Sequence, residues 1–104
     1  MIVEQRVYKL KPGTLAEYYE YYGTHGVELQ KQILGGLIGY FSTEIGALNE
    51  VTHLWAYDSL EDRTGKRQKL ANLPEWRNYL ANLPPIVIGA ENKILIPAPF
   101  SPIR

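Results

Sequence analysis

The run Val51-Thr-His-Leu-Trp-Ala-Tyr57 constrains this chain more than any other segment: it reads as a β-strand and has no charged residue on either face. A strand avoids charge on both faces when both are covered. A chain of 104 residues has too few helices to cover both sides of a sheet. The segment therefore predicts that a second copy of the protein covers one side.

The surrounding sequence supplies the partners of that strand. Ile2 to Leu10 alternates as a first strand, with Ile2, Glu4, Arg6, Tyr8 and Leu10 on one face and Val3, Gln5, Val7 and Lys9 on the other. Lys11-Pro-Gly-Thr14 ends it, with Thr14 placed to cap a helix. Leu15, Tyr18, Tyr22, Gly26, Leu29 and Ile33 then recur at helical spacing. Gly23 and Gly26 predict a break in that helix, since each costs about 1 kcal/mol against Ala inside a helix. Gly35-Gly36 terminates the second helical piece. Leu37 to Ile45 is the second strand and Glu50 to Tyr57 the third, joined antiparallel through Gly46-Ala-Leu-Asn49. Asp58, with Glu61 in capping-box spacing, starts a mostly polar helix to about Asn72 with Leu60, Leu70 and Ala71 inward. A short helix from Glu75 to Leu83 turns Trp76, Tyr79 and Leu80 inward. Ile86 to Ile96 is the fourth strand, and residues 97–104 form an extended tail with three prolines, anchored by Phe100 and Ile103.

Strand–helix–strand–strand–helix–strand is the split βαβ, ferredoxin-like arrangement: an α+β fold in which helices cover one face of a four-stranded antiparallel sheet. No repeat, low-complexity tract or linker divides the chain, so residues 1–104 read as a single domain.

Charge and composition exclude several classes of function. Eleven Lys and Arg balance eleven Asp and Glu, whereas nucleic-acid binding calls for a surplus of positive charge. The absence of cysteine excludes disulfides, thiolate metal sites and cysteine nucleophiles. Two histidines at unrelated positions give no support for a metal site, and nothing points to a bound cofactor. The N-terminus lacks the pattern of a signal peptide and no apolar run approaches the roughly 18 residues of a membrane span, which predicts a cytoplasmic protein without a membrane role.

Five residues are candidates for ligand contact. His53, Trp55 and Tyr57 alternate on one face of the third strand, and Arg6 and Tyr8 share a face of the first, its neighbour in this fold. If Leu54 and Ala56 pack beneath the helices, the His-Trp-Tyr row points toward the other side. Arg6 would bind an anion through its fork, His53 would exchange a proton near neutral pH, and the aromatic residues would wall an apolar ligand. The same residue types also build dimer interfaces, and Glu4 could simply satisfy Arg6. Arg63, Lys66, Arg67 and Lys69 read as a solvated helix face. His25, in Gly23-Thr-His-Gly26, reads as an exposed residue at the helix break.

The chain also resembles a known family along nearly its whole length. Ile2-Val-Glu-Gln-Arg-Val-Tyr-Lys-Leu-Lys-Pro-Gly13 is similar to the start of NIPSNAP domains. Gly36-Leu-Ile-Gly-Tyr-Phe-Ser-Thr-Glu-Ile-Gly-Ala-Leu-Asn49, His53-Leu-Trp-Ala-Tyr-Asp-Ser-Leu-Glu-Asp-Arg63 and Pro97-Ala-Pro-Phe-Ser-Pro-Ile-Arg104 resemble later parts of such domains. The resemblance implies a dimeric α/β barrel, in which two ferredoxin-like protomers bring their sheets together. Related barrels include small monooxygenases and isomerases, while NIPSNAP proteins have no settled catalytic activity. Two functions are therefore open: a homodimer binding a small organic molecule, with oxygenase- or isomerase-type chemistry by analogy of fold, or a non-enzymatic interaction and adaptor domain. A ligand-sized cavity at Arg6, Tyr8, His53 or Trp55 would favour the first, and a filled interior the second.

Overall fold

Alternation in the first and third strands sets the architecture. β1 (Ile2–Leu10) pairs antiparallel with β3 (Glu50–Tyr57), placing Glu4 opposite Trp55 and Arg6 opposite His53. The computed structural model, which describes residues 1–104, completes the sheet with β2 (Gly36–Ser42) and β4 (Val87–Leu95) in the order β2-β3-β1-β4. All three pairings are antiparallel. This is the ferredoxin-like α+β arrangement expected from the element order.

Four helices accompany the sheet: α1 (Leu15–His25), α2 (Val27–Leu34), α3 (Leu60–Ala71) and α4 (Pro74–Asn82). The expected break falls between α1 and α2 at Gly26, and tertiary packing explains the glycine there. A Cβ on Gly26 would lie 2.7 Å from the Tyr79 ring, so α4 can approach only where the side chain is missing. Gly35 ends α2 with φ of +84°, and its N–H donates to the Lys31 carbonyl at 2.9 Å.

Both expected caps differ in detail. Ser59, not Asp58, caps α3: its Oγ accepts from the Asp62 N–H at 3.0 Å. The Asp62 carboxylate accepts from the Asp58 N–H at 3.0 Å, one residue before the cap, so the cap sits one residue later than the sequence pattern suggested and is not closed as a capping box. Thr14 precedes α1 without capping it; its hydroxyl donates to the Lys11 carbonyl. Leu60 and Leu80, expected inward, are about half exposed. β2 ends at Ser42, and the connection to β3 is longer than the sequence predicted, with Asn49 in the left-handed region.

The orientation of the sheet is the main correction. His53, Trp55 and Tyr57 lie beneath the helices and are essentially inaccessible, together with Val51, Ile2, Glu4 and Leu10. Thr52, Leu54 and Ala56 occupy the opposite face and are half-buried. The reason is bulk: the larger aromatic row, Trp55 and Tyr57, joins Tyr18, Tyr22, Trp76 and Tyr79 in one buried cluster, while the smaller Leu54 and Ala56 are left on the open face.

The other face of the sheet carries no helix. Its apolar end, formed by Val3, Ile38, Leu54 and Leu95, is joined by Ile96, Pro97, Ser101 and Ile103 of the tail in one shallow groove. Ile103 thus rests against its own chain, whereas Phe100 is 87% exposed on the protomer. No helix is long and apolar enough to cross a membrane.

Candidate functional site

Between the sheet and the helices lies a cavity of about 290 Å³. Arg6 and Tyr8 of β1, His53 of β3 and Tyr40 of β2 form its floor, and Tyr18, Tyr22, Trp76 and Tyr79 form its aromatic roof. Three of the five residues expected at a ligand site, Arg6, Tyr8 and His53, therefore line one cavity. It lies, however, on the helix-covered side of the sheet.

Trp55 and Tyr57 line no part of it. Trp55 is fully buried behind His53, and Tyr57 lies one step further along β3, with the Lys66 ammonium 6.0 Å from its ring centroid. The sequence gives no sign that the aromatic residues of α1, α4 and β2 are walls: Tyr18 and Tyr22 recur at helical spacing and do pack in the core, and they also bound the cavity. The Tyr18 and Tyr40 hydroxyls are hydrogen-bonded at 2.7 Å, and the Tyr22 hydroxyl donates to Gln30 Oε1.

Trp55 gives His53 a defined chemical form. The indole Nε1–H donates to His53 Nδ1 at 2.7 Å, and because an indole can only donate, Nδ1 must accept. The neutral ring then carries its proton on Nε2, a buried atom with no protein partner. Burial, and secondarily the charges of Arg6 and Arg67, lower the His53 pKa to about 3. The ring is neutral at physiological pH and presents an N–H. The expectation that His53 exchanges a proton near neutral pH is thereby corrected: its one unpaired nitrogen is a donor. Tyr40 stacks on the ring with centroids 4.3 Å apart, and Tyr8 meets it edge-on at 4.8 Å.

Glu4 accounts for the orientation of Arg6. This carboxylate is fully buried, and its Oε2 accepts from Arg6 Nη1 at 3.0 Å, Arg63 Nη2 at 2.7 Å and Asn92 Nδ2 at 2.8 Å. Arg67 Nη1 lies 3.9 Å from Oε1. Burial alone would raise the Glu4 pKa, but the hydrogen bonds from Arg63 and Asn92 and the charges of Arg6 and Arg63 outweigh it and hold the group at about 2. Arg63 and Arg67, expected on a solvated face, instead reach inward from α3. They are four residues apart and so share one side of the helix. Arg6 Nε donates to the Tyr8 hydroxyl at 3.3 Å, which leaves Nη2 outside both of these interactions. Three guanidinium groups thus surround one carboxylate, and Arg6 joins that cluster to the cavity it lines. His25, by contrast, is exposed on α1 beside Tyr21.

Fold and site together define a ferredoxin-like α+β domain with an aromatic cavity between its sheet and its helices. The same architecture occurs in an antibiotic biosynthesis monooxygenase-like protein from Nitrosomonas europaea, which is 14% identical with a TM-score of 0.63 and covers 93% of this chain and 98% of its own; that similarity extends to the fold alone. The NIPSNAP family model matches residues 3–102, and the chain belongs to the NIPSNAP family. The crystal structure of Atu4242 from Agrobacterium tumefaciens is similar over the full length of both chains, with 43% identity and a TM-score of 0.97. A NIPSNAP-like domain protein from Burkholderia xenovorans is 46% identical, with a TM-score of 0.93 over 97% of this chain and 88% of its own. Protein NipSnap of Drosophila melanogaster is 34% identical over 97% of this chain, which spans 36% of the length of the fly protein.

Proposed function

We propose that this chain binds a small organic molecule in the cavity between its sheet and its helices, and does so as a homodimer. One observation carries the reading: a cavity of about 290 Å³, walled by Tyr and Trp, is also lined by Arg6 and by His53, whose buried Nε2–H has no protein partner. Buried donors are normally paired, so an unpaired donor on a residue that lines an apolar cavity suits a ligand atom. The cavity speaks against the adaptor alternative, for which a filled interior would be expected. Oxygenase- or isomerase-type chemistry on the bound molecule extends the reading by analogy of fold only.

Thermal-shift screening against small aromatic acids and haem tests the site. The wild type should be stabilised by at least one compound. A hydrogen bond to a charged group is worth about 1.5–3 kcal/mol, so Arg6→Ala should weaken binding roughly ten- to a hundredfold. His53→Ala should weaken it less, since a neutral donor is lost. A wild type that responds to nothing, or variants that respond as it does, would remove the reading.

The dimer is supported by the open sheet face, where Val3, Ile38, Leu54 and Leu95 gather beside the tail. A second copy meeting that face would bury more than about 1,200 Å² in total, the lower end for stable association. Light scattering should give twice the protomer mass at micromolar concentration. Leu54→Lys, which places a charge at the centre of the patch without touching the cavity, should give the protomer mass. A wild type that scatters as a monomer would refute the pairing.

A further inference from the structure

We infer that the cavity takes an aromatic ring carrying a single anionic oxygen, a phenolate, and binds it in preference to the neutral phenol. The inference rests on the ligand-binding reading above and adds the charge and shape of the ligand.

Shape follows from the walls. Tyr40 and His53 stack nearly parallel at 11° on the floor, and Tyr18 and Tyr22 stack at 10° in the roof. These stacked pairs make the lining largely aromatic, and a volume of about 290 Å³ is at the small end for ligand sites, which fits a compound of one or two fused rings.

Charge follows from the polar end. Arg6 and His53 are directly opposed residues of β1 and β3, so their side chains leave the same face of the sheet about 5 Å apart at Cβ. Trp55 fixes His53 as an Nε2–H donor. Arg6 commits Nη1 to Glu4 and Nε to Tyr8 and keeps Nη2 outside those bonds. One N–H from each residue matches one oxygen accepting two hydrogen bonds.

No group around the cavity supplies the missing negative charge. Glu4 is the carboxylate of this face, and it is shared by Arg6, Arg63 and Arg67. Three guanidinium groups against this one carboxylate leave a surplus of positive charge. The phenols of Tyr18, Tyr22, Tyr40 and Tyr79 have their pKa values pushed up by burial and remain neutral. On β4, Asn92 pairs with Arg6 on the cavity face, while Glu91 pairs with Val7 and Lys93 with Gln5 on the opposite face. An anionic guest would balance the surplus. The same field would lower the pKa of a bound phenol, as a nearby guanidinium does for any acid.

Umbelliferone, a fluorescent hydroxycoumarin whose neutral and ionised forms absorb differently, and its methyl ether, of the same shape without an ionisable oxygen, test this directly. With saturating wild-type protein, bound umbelliferone should ionise at a pH at least about one unit below that of the free dye, which corresponds to a tenfold preference for the anion. The methyl ether should bind at least tenfold more weakly, and Arg6→Gln should abolish most of the shift. Should Arg6→Gln fail to fold, the comparison of the two dyes on the wild type decides alone. Equal affinity for both dyes, with the phenol titrating as in water, would overturn the inference and leave the binding reading standing. Tight binding of naphthoate with no binding of umbelliferone would overturn it in favour of a carboxylate. Failure of all three probes at millimolar concentration would overturn both the inference and the binding reading.

Discussion

Trp55→Ala should cost about 3–5 kcal/mol of folding free energy, the range for truncating a large aromatic in a core. Trp55 has no accessible surface and belongs to the central cluster with Leu10, Leu34, Val51 and Leu70. It sits on a strand paired on both sides, by β1 and by β2, so neighbouring backbone cannot collapse into the void. The substitution also removes the donor to His53 Nδ1, leaving a buried acceptor unpaired and the imidazole free to take either tautomer. Urea denaturation at neutral pH measures the loss. A cost below about 1 kcal/mol, as for a surface position, would contradict the burial. Trp55→Phe separates the two effects: it keeps most of the bulk, should recover more than half of the lost stability, and should still lose the fixed tautomer, visible in the imidazole nitrogen resonances.

The third strand shows what its own sequence could and could not disclose. Alternation located it residue for residue from Glu50 to Tyr57, and its lack of charge pointed to cover on both faces. Which face went under the helices was not decided by hydropathy, because Thr52-Leu54-Ala56 and His53-Trp55-Tyr57 are both uncharged rows. The deciding signal lay in other elements. Tyr18 and Tyr22 on α1 and Trp76 and Tyr79 on α4 form an aromatic cluster, and the aromatic row of the strand buries more apolar surface by joining it than Leu54 and Ala56 would. Once that row is turned inward, Arg6 and His53 move from a prospective interface to the floor of a cavity inside the protomer.

The helix break was equally legible, but its reason was not. Gly26 marks the end of α1 by propensity alone, whereas its necessity comes from the Tyr79 ring, which is 53 positions away in sequence (79 − 26) and occupies the space of its missing side chain. α3 misled in the opposite direction. A helix carrying Arg63, Lys66, Arg67 and Lys69 reads as solvated, and the spacing of Arg63 and Arg67 on one side gains meaning only beside a buried Glu4. The carboxylate itself was the available clue: Glu4 alternates with Ile2 and Leu10 on the inner face of β1, and a buried carboxylate requires cations from an adjoining element.

Glu4 should therefore be the most consequential polar residue of the chain. Glu4→Ala should destabilise the protein by about 3–5 kcal/mol, the cost of removing one partner from a buried ion pair, because Arg6, Arg63 and Arg67 would be left facing one another around an empty space. Replacing an acid that is not doing this work would cost little. The same carboxylate should also govern acid stability. Its pKa is lowered from an ordinary 4.5 to about 2 in the folded protein, so the unfolded chain binds the proton first as pH falls. The stabilisation is complete above about pH 5 and declines as pH drops toward 2, with a total of about 3 kcal/mol for a shift of this size. Glu4→Gln keeps the shape without the charge and cannot titrate. Its stability should start lower at pH 7 and fall less steeply between pH 5 and 2, so that the two curves converge in acid. Urea midpoints collected across that interval measure both slopes. Parallel curves would show that Glu4 ionises with an ordinary pKa, and the three guanidinium groups would then have to be stabilised by solvent rather than by this carboxylate.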